Sequence, residues 1–365
     1  MLLLGPLPPP TTGQALALQV VHRRTDFDTT VINNNFENKS QFVRFVLSIR
    51  HIAACIVSCI KCQPRIAYIS IKRSCLGLAV DCACLFLSRL LSRSNVVLHL
   101  HGGELTAMSR DFIRRLMLMY ALRSSAAVVV LSSAMADEVR CIYQSANVHI
   151  VPNFSSNFPE TSDIHVKASH ADRGPLRVLY LSNLMYSKGI LDIASAVNLA
   201  RQRGVDVELE IAGSFLDDEH MTSEQLRINL QPQINSYVRY LGSLNDAPKW
   251  EALLRAQVLA LPTFYKSEAQ PICLIEGLAY GCVPLSTYLV HFHPLLEDLP
   301  FSVAENRNIE SIVRAIMHMS NNRTHLGNLL IRCHQLARSK FTTEQHVLLI
   351  EAVLAQILDN QTAAT

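Results

Sequence analysis

Short apolar runs that scarcely alternate, each followed by a helical pattern, recur along this chain, lapse once, and then start again. Leu2–Leu4, Arg65–Ser70, Asn95–Leu100, Ala126–Leu131 and Val148–Val151 read as strands rich in Val, Ile or Leu. Continuous apolar strands of this kind belong to parallel sheets covered on both faces. Helical patterns such as Ser109–Arg123 and Ser133–Gln144 lie between them, so the first half predicts a doubly wound α/β domain. Phe154–Pro175 is rich in Ser, Asn, Asp, Pro and Gly and reads as a linker. The alternation then resumes with Arg177–Leu181, a helix over Leu191–Arg203 closed by Gly204, and strands at Val207–Ala212, Val238–Leu241 and Val258–Leu261. A helix over Ile272–Tyr280 closed by Gly281 and a strand at Val283–Ser286 follow. The expectation is two tandem domains, residues 1–168 and 172–342, with a last helix in about 343–365 returning to the first. Hydrophobic residues make up 49% of the 365, enough for two buried cores, and charged residues only 17%, which argues against disorder.

Charge is divided unevenly. Residues 1–175 hold 18 Lys/Arg against 11 Asp/Glu, a net of +7, and the remainder holds 15 against 19, a net of −4. A basic half beside an acidic half implies that the first meets something anionic. Six of the ten cysteines fall between 55 and 84 in apolar stretches, and no second pair complements Cys59-x-x-Cys62 at zinc-site spacing. They read as reduced packing residues, which favours a reducing compartment. The sequence predicts no signal peptide and no spanning helix, because its longest clean apolar run, Ile52–Ile60, falls short of the roughly 18 residues required.

The strongest chemical signal is Ser267–Pro284, where Glu268 and Glu276 stand eight residues apart. Pro271 sits where a helix would begin, so the N–H groups of Ile272 and Cys273 would point at an anion, aided by the helix dipole. One carboxylate can then serve a sugar and the other a ribose, with phosphates between. The plain alternative is a solvated loop carboxylate and a helix-surface one. The preceding strand and the following Gly-x-Pro-strand favour the first reading.

This segment resembles the retaining glycosyltransferases of family four, whose E-x7-E motif is followed by helix, Gly, x and Pro. Leu4–Gln14 is similar to that family's first strand and glycine loop, Tyr180–Gly189 to the first strand and phosphate-binding lysine of its second domain, and Glu210–Gly213 and Tyr240–Leu244 to later strands. The resemblance implies a GT-B fold, with two Rossmann-like doubly wound parallel-sheet domains facing across a cleft. It implies a nucleotide-diphosphate donor, with Gly13, Asn183, Lys188, Leu244, Glu268, Gln270, Pro271, Ile272, Cys273 and Glu276 binding it, and Glu268, Lys188 and His101 nearest the chemistry. Lys188 would neutralise the pyrophosphate, Gly13 would let backbone approach a phosphate, Leu244 would lie beside the base, and His101 would contact the donor sugar. An ordinary surface lysine, turn glycine, core leucine and strand-end histidine are the plainer alternatives. No cofactor and no metal are expected; His291 and His293 have no supporting carboxylate–histidine spacing. Two positions depart from the family. Asn183 stands where many members carry Arg, and Tyr288–Asp298 replaces the usual Gly-Gly-x-x-Glu loop.

The expected acceptor is a growing polysaccharide or a lipid-linked saccharide. Two basic helices, Gln41–Lys61 with Arg44 and Arg50, and Ser109–Arg123 with Arg110, Arg114 and Arg115, carry apolar residues alongside their charges. They are either solvated faces or a peripheral contact with anionic lipid, which would set a cytoplasmic protein on the inner face of the cytoplasmic membrane. Nucleic acid is not expected, since no aromatic interleaving accompanies the charge. A sugar-nucleotide 2-epimerase of the same fold is the alternative activity. A nicotinamide dehydrogenase is disfavoured, because neither domain has G-x-G-x-x-G after its first strand.

Overall fold

The computed structural model describes residues 1–9, 12–34, 40–296 and 302–362. Pro10 and Thr11 of the expected first loop, Asp298, and the end of the expected last helix lie outside them. The chain divides into two compact units, residues 1–153 with 343–365, and residues 154–342.

The first unit runs β1 (Leu2–Gly5), α1 (Gly13–Arg24), β2 (Thr30–Asn33), α2 (Gln41–Cys62), β3 (Ile66–Ser70), α3 (Cys75–Ser92), β4 (Asn95–Leu100), α4 (Leu105–Met108), α5 (Phe112–Ser124), β5 (Ala127–Val130), α6 (Ser133–Ile142) and β6 (Val148–Ile150). Its strands form one parallel sheet in the order β2-β1-β3-β4-β5-β6. Leu3, Tyr68, Val97 and Val129 are buried in its core together with Ile350, Leu354 and Ile357 of the C-terminal helix, Thr343–Thr362. Those three recur at helical spacing, so one face of the last helix completes this core.

The second unit runs α7 (Thr161–Ser169), β7 (Leu176–Leu181), α8 (Ile190–Gln202), β8 (Val207–Ala212), α9 (Ser223–Leu230), β9 (Val238–Tyr240), α10 (Asp246–Arg255), β10 (Val258–Leu261), α11 (Ile272–Ala279), β11 (Val283–Thr287), β12 (Ser302–Ala304), α12 (Ile309–Asn321) and α13 (Arg323–Lys340). Its parallel sheet has the order β12-β11-β10-β7-β8-β9. The chain leaves β7 toward β8 on one side and returns to β10 on the other, which makes the gap between β7 and β10 the topological switch point. In such sheets ligands bind outside the carboxyl ends of the strands at that point.

Three expectations need correction. The stretch Phe154–Pro175 is no free linker, and the boundary falls after Asn153 rather than near 168. Its helix α7 buries Ile164 and fixes Lys167, whose Nζ donates to the carbonyls of Tyr280 (2.6 Å) and Leu253 (3.1 Å), so it belongs to the second unit. The helix expected over Ser109–Arg123 begins only at Phe112, because Asp111 caps α5 by accepting the Arg114 N–H at 2.8 Å. Arg110 therefore precedes the helix. Finally, Phe42–Cys62 and Cys75–Ser92 are long and apolar enough to cross a membrane by length and composition, although only 22% and 39% of those windows are buried. The scattered Arg, His and Ser of α2 interrupt its clean apolar runs without bringing its mean hydropathy down. Along α2, His51, Cys55 and Cys59 form its buried edge, and the last two meet Ser88 of α3. All ten cysteines are free thiols.

Candidate functional site

The loops after β7 and β10 meet at the switch point and hold each other in place. The turn Tyr186–Lys188 follows β7 and ends on Gly189, whose φ is +74°. A Cβ at Gly189 would lie 2.2 Å from the Pro262 carbonyl oxygen just past β10, so only glycine allows this approach. The Ser187 N–H donates to Asp218 Oδ2 at 2.7 Å, and its carbonyl accepts the Phe264 N–H at 2.8 Å. Gly213 plays the same part after β8, where a Cβ would fall 1.8 Å from the Ser182 carbonyl.

This bracing presents Lys188 to Glu268. Their Nζ and Oε2 stand 3.2 Å apart, and Nζ also donates to Ser182 Oγ at 3.2 Å. Both side chains are largely covered, with 17% and 12% of their surfaces exposed, and Tyr265 lies with its ring centroid 5.9 Å from the ammonium. Burial alone would push the Lys188 ammonium down, but the Glu268 carboxylate outweighs it and holds Lys188 above its ordinary value.

Beside this pair α11 begins. Pro271 is its cap rather than its first turn, and the helical ladder opens with Leu274 and Ile275 donating to the Pro271 carbonyl. The N–H groups of Ile272 and Cys273 precede that ladder, so the start of α11 carries positive polarity. Cys273 feels the charges of Lys188, Glu268, Glu276 and Lys249, which places all four groups around one helix end. Burial pushes its thiol up to about 12, so it stays neutral. Glu276 is buried one turn further in, and its Oε1 accepts from Lys249 Nζ at 2.6 Å. Burial pushes its carboxyl up, and Lys249 opposes that shift.

The remaining expected residues have varied places. Gln270 is buried and its amide donates to the His291 carbonyl at 3.1 Å, so its side chain ties the loop down. Asn183 is exposed just beyond β7, and Leu244 is half-buried against the second core between β9 and α10. Gly13 is the first residue of α1, capped by Thr12, and not a loop glycine. His101 belongs to the first unit, beyond β4, with its ring centroid 3.8 Å from that of His99; Tyr68 and His346 complete an aromatic cluster. His293 is buried and serves its own loop, accepting the Leu289 N–H at 2.8 Å. Among the described residues no group of three or more His, Cys, Asp or Glu is placed to hold a metal ion. Arg44, Arg50, Arg110 and Arg115 are exposed and Arg114 is half-buried, all in the first unit.

Sequence reasoning missed Ser182 and Lys249. Ser182 lies inside the strand-to-lysine stretch and could have been noticed as its only serine ahead of Asn183. Lys249 carries no local signal, because its partner is 27 residues away.

Residues 175–322 match the family described as glycosyl transferases group 1. No curated protein matches the chain. Among solved structures, HepE of Anabaena in complex with UDP-glucose is similar over 97% of this chain and 99% of its own, at 15% identity and a TM-score of 0.73. A sucrose-phosphate synthase from Thermosynechococcus elongatus is similar over 100% and 99%, at 15% identity and a TM-score of 0.73. TarM of S. aureus, in complex with Fondaparinux, alpha-GlcNAc-glycerol and UDP, is similar over 83% of this chain but only 58% of its own, at 14% identity and a TM-score of 0.62. With the two six-stranded parallel sheets, these likenesses establish the GT-B fold.

Proposed function

We propose, from the premise of a GT-B fold with a glycosyl transferases group 1 domain, that this chain is a retaining hexosyltransferase of family four. It moves a hexose-type sugar from a nucleotide-diphosphate donor to a growing polysaccharide or lipid-linked saccharide. The observation that carries this reading is the Lys188–Glu268 pair at the switch point, set against the start of α11. Two of the solved neighbours named above, HepE with UDP-glucose and TarM with UDP, support a donor of this chemistry.

In this scheme the diphosphate lies against Lys188 and the N–H groups of Ile272 and Cys273. Negative charge grows there as the anomeric C–O bond breaks, and a fixed ammonium and helix end stabilise it without reorganising. Glu268 holds Lys188 charged beforehand and orients the sugar hydroxyls; Glu276 takes the ribose. The new glycosidic bond forms on the face the diphosphate leaves, and the acceptor proton passes to the departing diphosphate oxygen. A thermal-shift screen of nucleoside diphosphates tests the donor class, since a ligand raises stability in step with its affinity. No stabilisation by any of them would refute the reading. The scheme needs neither metal nor cofactor: transfer persists in excess chelator, and full loss restored by Mn²⁺ or Mg²⁺ would overturn that part.

Peripheral docking of the first unit on anionic lipid at the inner face of the cytoplasmic membrane belongs to the same proposal. Helices α2, α3 and α5 pack side by side and expose Phe45, Ile49, Phe86, Leu90, Phe112 and Ile113. Within their spans the one carboxylate is Asp81, buried and paired with Lys72 at 3.2 Å, while Arg44, Arg50, Arg114 and Arg115 make no ion pair among the described residues. An apolar face rimmed by unpaired arginines complements an anionic bilayer.

A further inference from the structure

Lys249 stands out among the charged residues that the scheme above does not use. It reaches the site from α10, a helix otherwise remote from the E-x7-E segment in sequence, and its Nζ lies 2.6 Å from Glu276 Oε1. Its other side is fixed as well. The ammonium sits 4.2 Å from the centroid of the Trp250 ring, and Trp250 stacks on Tyr280 at 5.6 Å with 6° between the planes. The side chain of Lys249 is therefore held from two directions, by a carboxylate and by an aromatic face whose own position is locked. Glu276 Oε2 has no protein hydrogen bond among the described residues.

We infer that Lys249 is a positioning residue, which through Glu276 fixes the edge of the site that reads the two hydroxyls of the donor ribose. The inference rests on the donor reading above and deepens it. A carboxyl buried to this degree takes up a proton unless a cation compensates it. A protonated carboxyl has one oxygen committed to its own hydrogen, whereas the ionised form can accept from both ribose hydroxyls. Lys249 binds Oε1 and leaves Oε2 without a protein hydrogen bond among the described residues, so it sets the ionisation state and holds the carboxylate by one oxygen. The titratable groups facing Glu276 are Lys249 from α10, Cys273 on α11 and Tyr280 at its C-terminal cap. Burial pushes both the Cys273 thiol and the Tyr280 hydroxyl up to about 12, so neither changes charge near neutral pH. Lys188 and Glu268 act on the same helix end from the loops after β7 and β10.

The test compares binding of a ribonucleoside diphosphate with its 2′,3′-dideoxy analogue by calorimetry, in the full chain and in Lys249→Met and Lys249→Arg variants. UDP, GDP and ADP are titrated first, and the tightest is used. The wild type prefers the ribose form by roughly tenfold or more, the worth of a charge-assisted hydrogen bond, at both about pH 6.5 and about pH 8.5. Lys249→Met loses that preference at the lower pH and recovers part of it at the higher, as Glu276 ionises unaided. Its affinity for the dideoxy analogue stays as in the wild type. Lys249→Arg keeps the preference. A Lys249→Met variant that retains the full preference at both pH values overturns the inference. So does one that loses both ligands equally while its melting temperature falls, since that is a purely structural role. A wild type that binds none of the three diphosphates overturns the donor reading itself. One that binds but ignores the hydroxyls removes the ribose from Glu276 and leaves the donor reading standing.

Discussion

Lys188 shows how a buried charge can be kept for use. Its partner Glu268 holds it ionised, and each is costly to leave alone, because an unpaired charge at this depth loses solvation without compensation. Lys188→Met should therefore do two separable things. It lowers turnover by roughly a hundredfold or more, the cost of one lost donor at a developing oxyanion. It also costs about 1–3 kcal/mol of stability, because Glu268 is left without its cation. Adding Glu268→Gln removes the stranded charge, so the double variant regains most of the melting temperature and none of the turnover. Calorimetry and a transfer assay on the three proteins check this; activity that returns together with stability would mark the pair as structural. The residues of this pair were legible in the sequence because the lysine precedes a glycine after a strand and Glu268 opens a spaced carboxylate motif. Lys249 was not, since pairing across 27 residues leaves no local pattern. Gly13 was expected in a loop and instead opens α1, since a glycine after a proline-rich run suits a turn and a helix start equally well.

At the level of elements, the strands and helices around the switch point follow from their patterns. Apolar runs became β7 and β10, the alternating Val207–Ala212 became β8, and Gly281 closes α11 as a left-handed residue should. The pattern failed where tertiary bonds override composition. The polar segment holding α7 reads as linker until Lys167 is seen to donate to two carbonyls of the second unit. It failed again at α5, where one aspartate breaks the expected helical pattern and starts the helix at Phe112. That break sets Arg110 in the loop and Arg114 and Arg115 in the first turn of α5, beside the exposed Phe112 and Ile113. Each basic residue near an anionic surface contributes about 1 kcal/mol. Replacing Arg110, Arg114 and Arg115 together by Ala should cost roughly two decades of partition coefficient on anionic vesicles at low salt. The difference shrinks as the screening length falls to about 8 Å at physiological ionic strength. Vesicle sedimentation measures it, and equal sedimentation with anionic and neutral vesicles would return these arginines to ordinary solvated surface.

For the whole molecule, acid is a condition that destabilises the first unit. His99 and His346 are buried and His101 is half-buried, and burial drives all three below the ordinary imidazole value, to about 3 for His101 and about 4 for His346. A histidine whose folded value is lowered stays neutral while the unfolded chain takes its proton. Stability is then complete above about pH 6.5 and falls as pH drops toward the folded values, by about 1.4 kcal/mol per pH unit for each imidazole. Thermal melts at about pH 7.5 and about pH 5 should separate by more than ten degrees, and His346→Gln should narrow the gap; pH-independent melting would contradict the assigned burial. His346 belongs to the helix that supplies Ile350, Leu354 and Ile357 to the first core. That helix is translated after every residue of the second unit. The second unit, drawn from one unbroken stretch, can reach its native contacts while synthesis is still under way. The first waits with an apolar flank uncovered until the ribosome has passed residue 357, so it is the earlier half of the message that a chaperone must shield the longer.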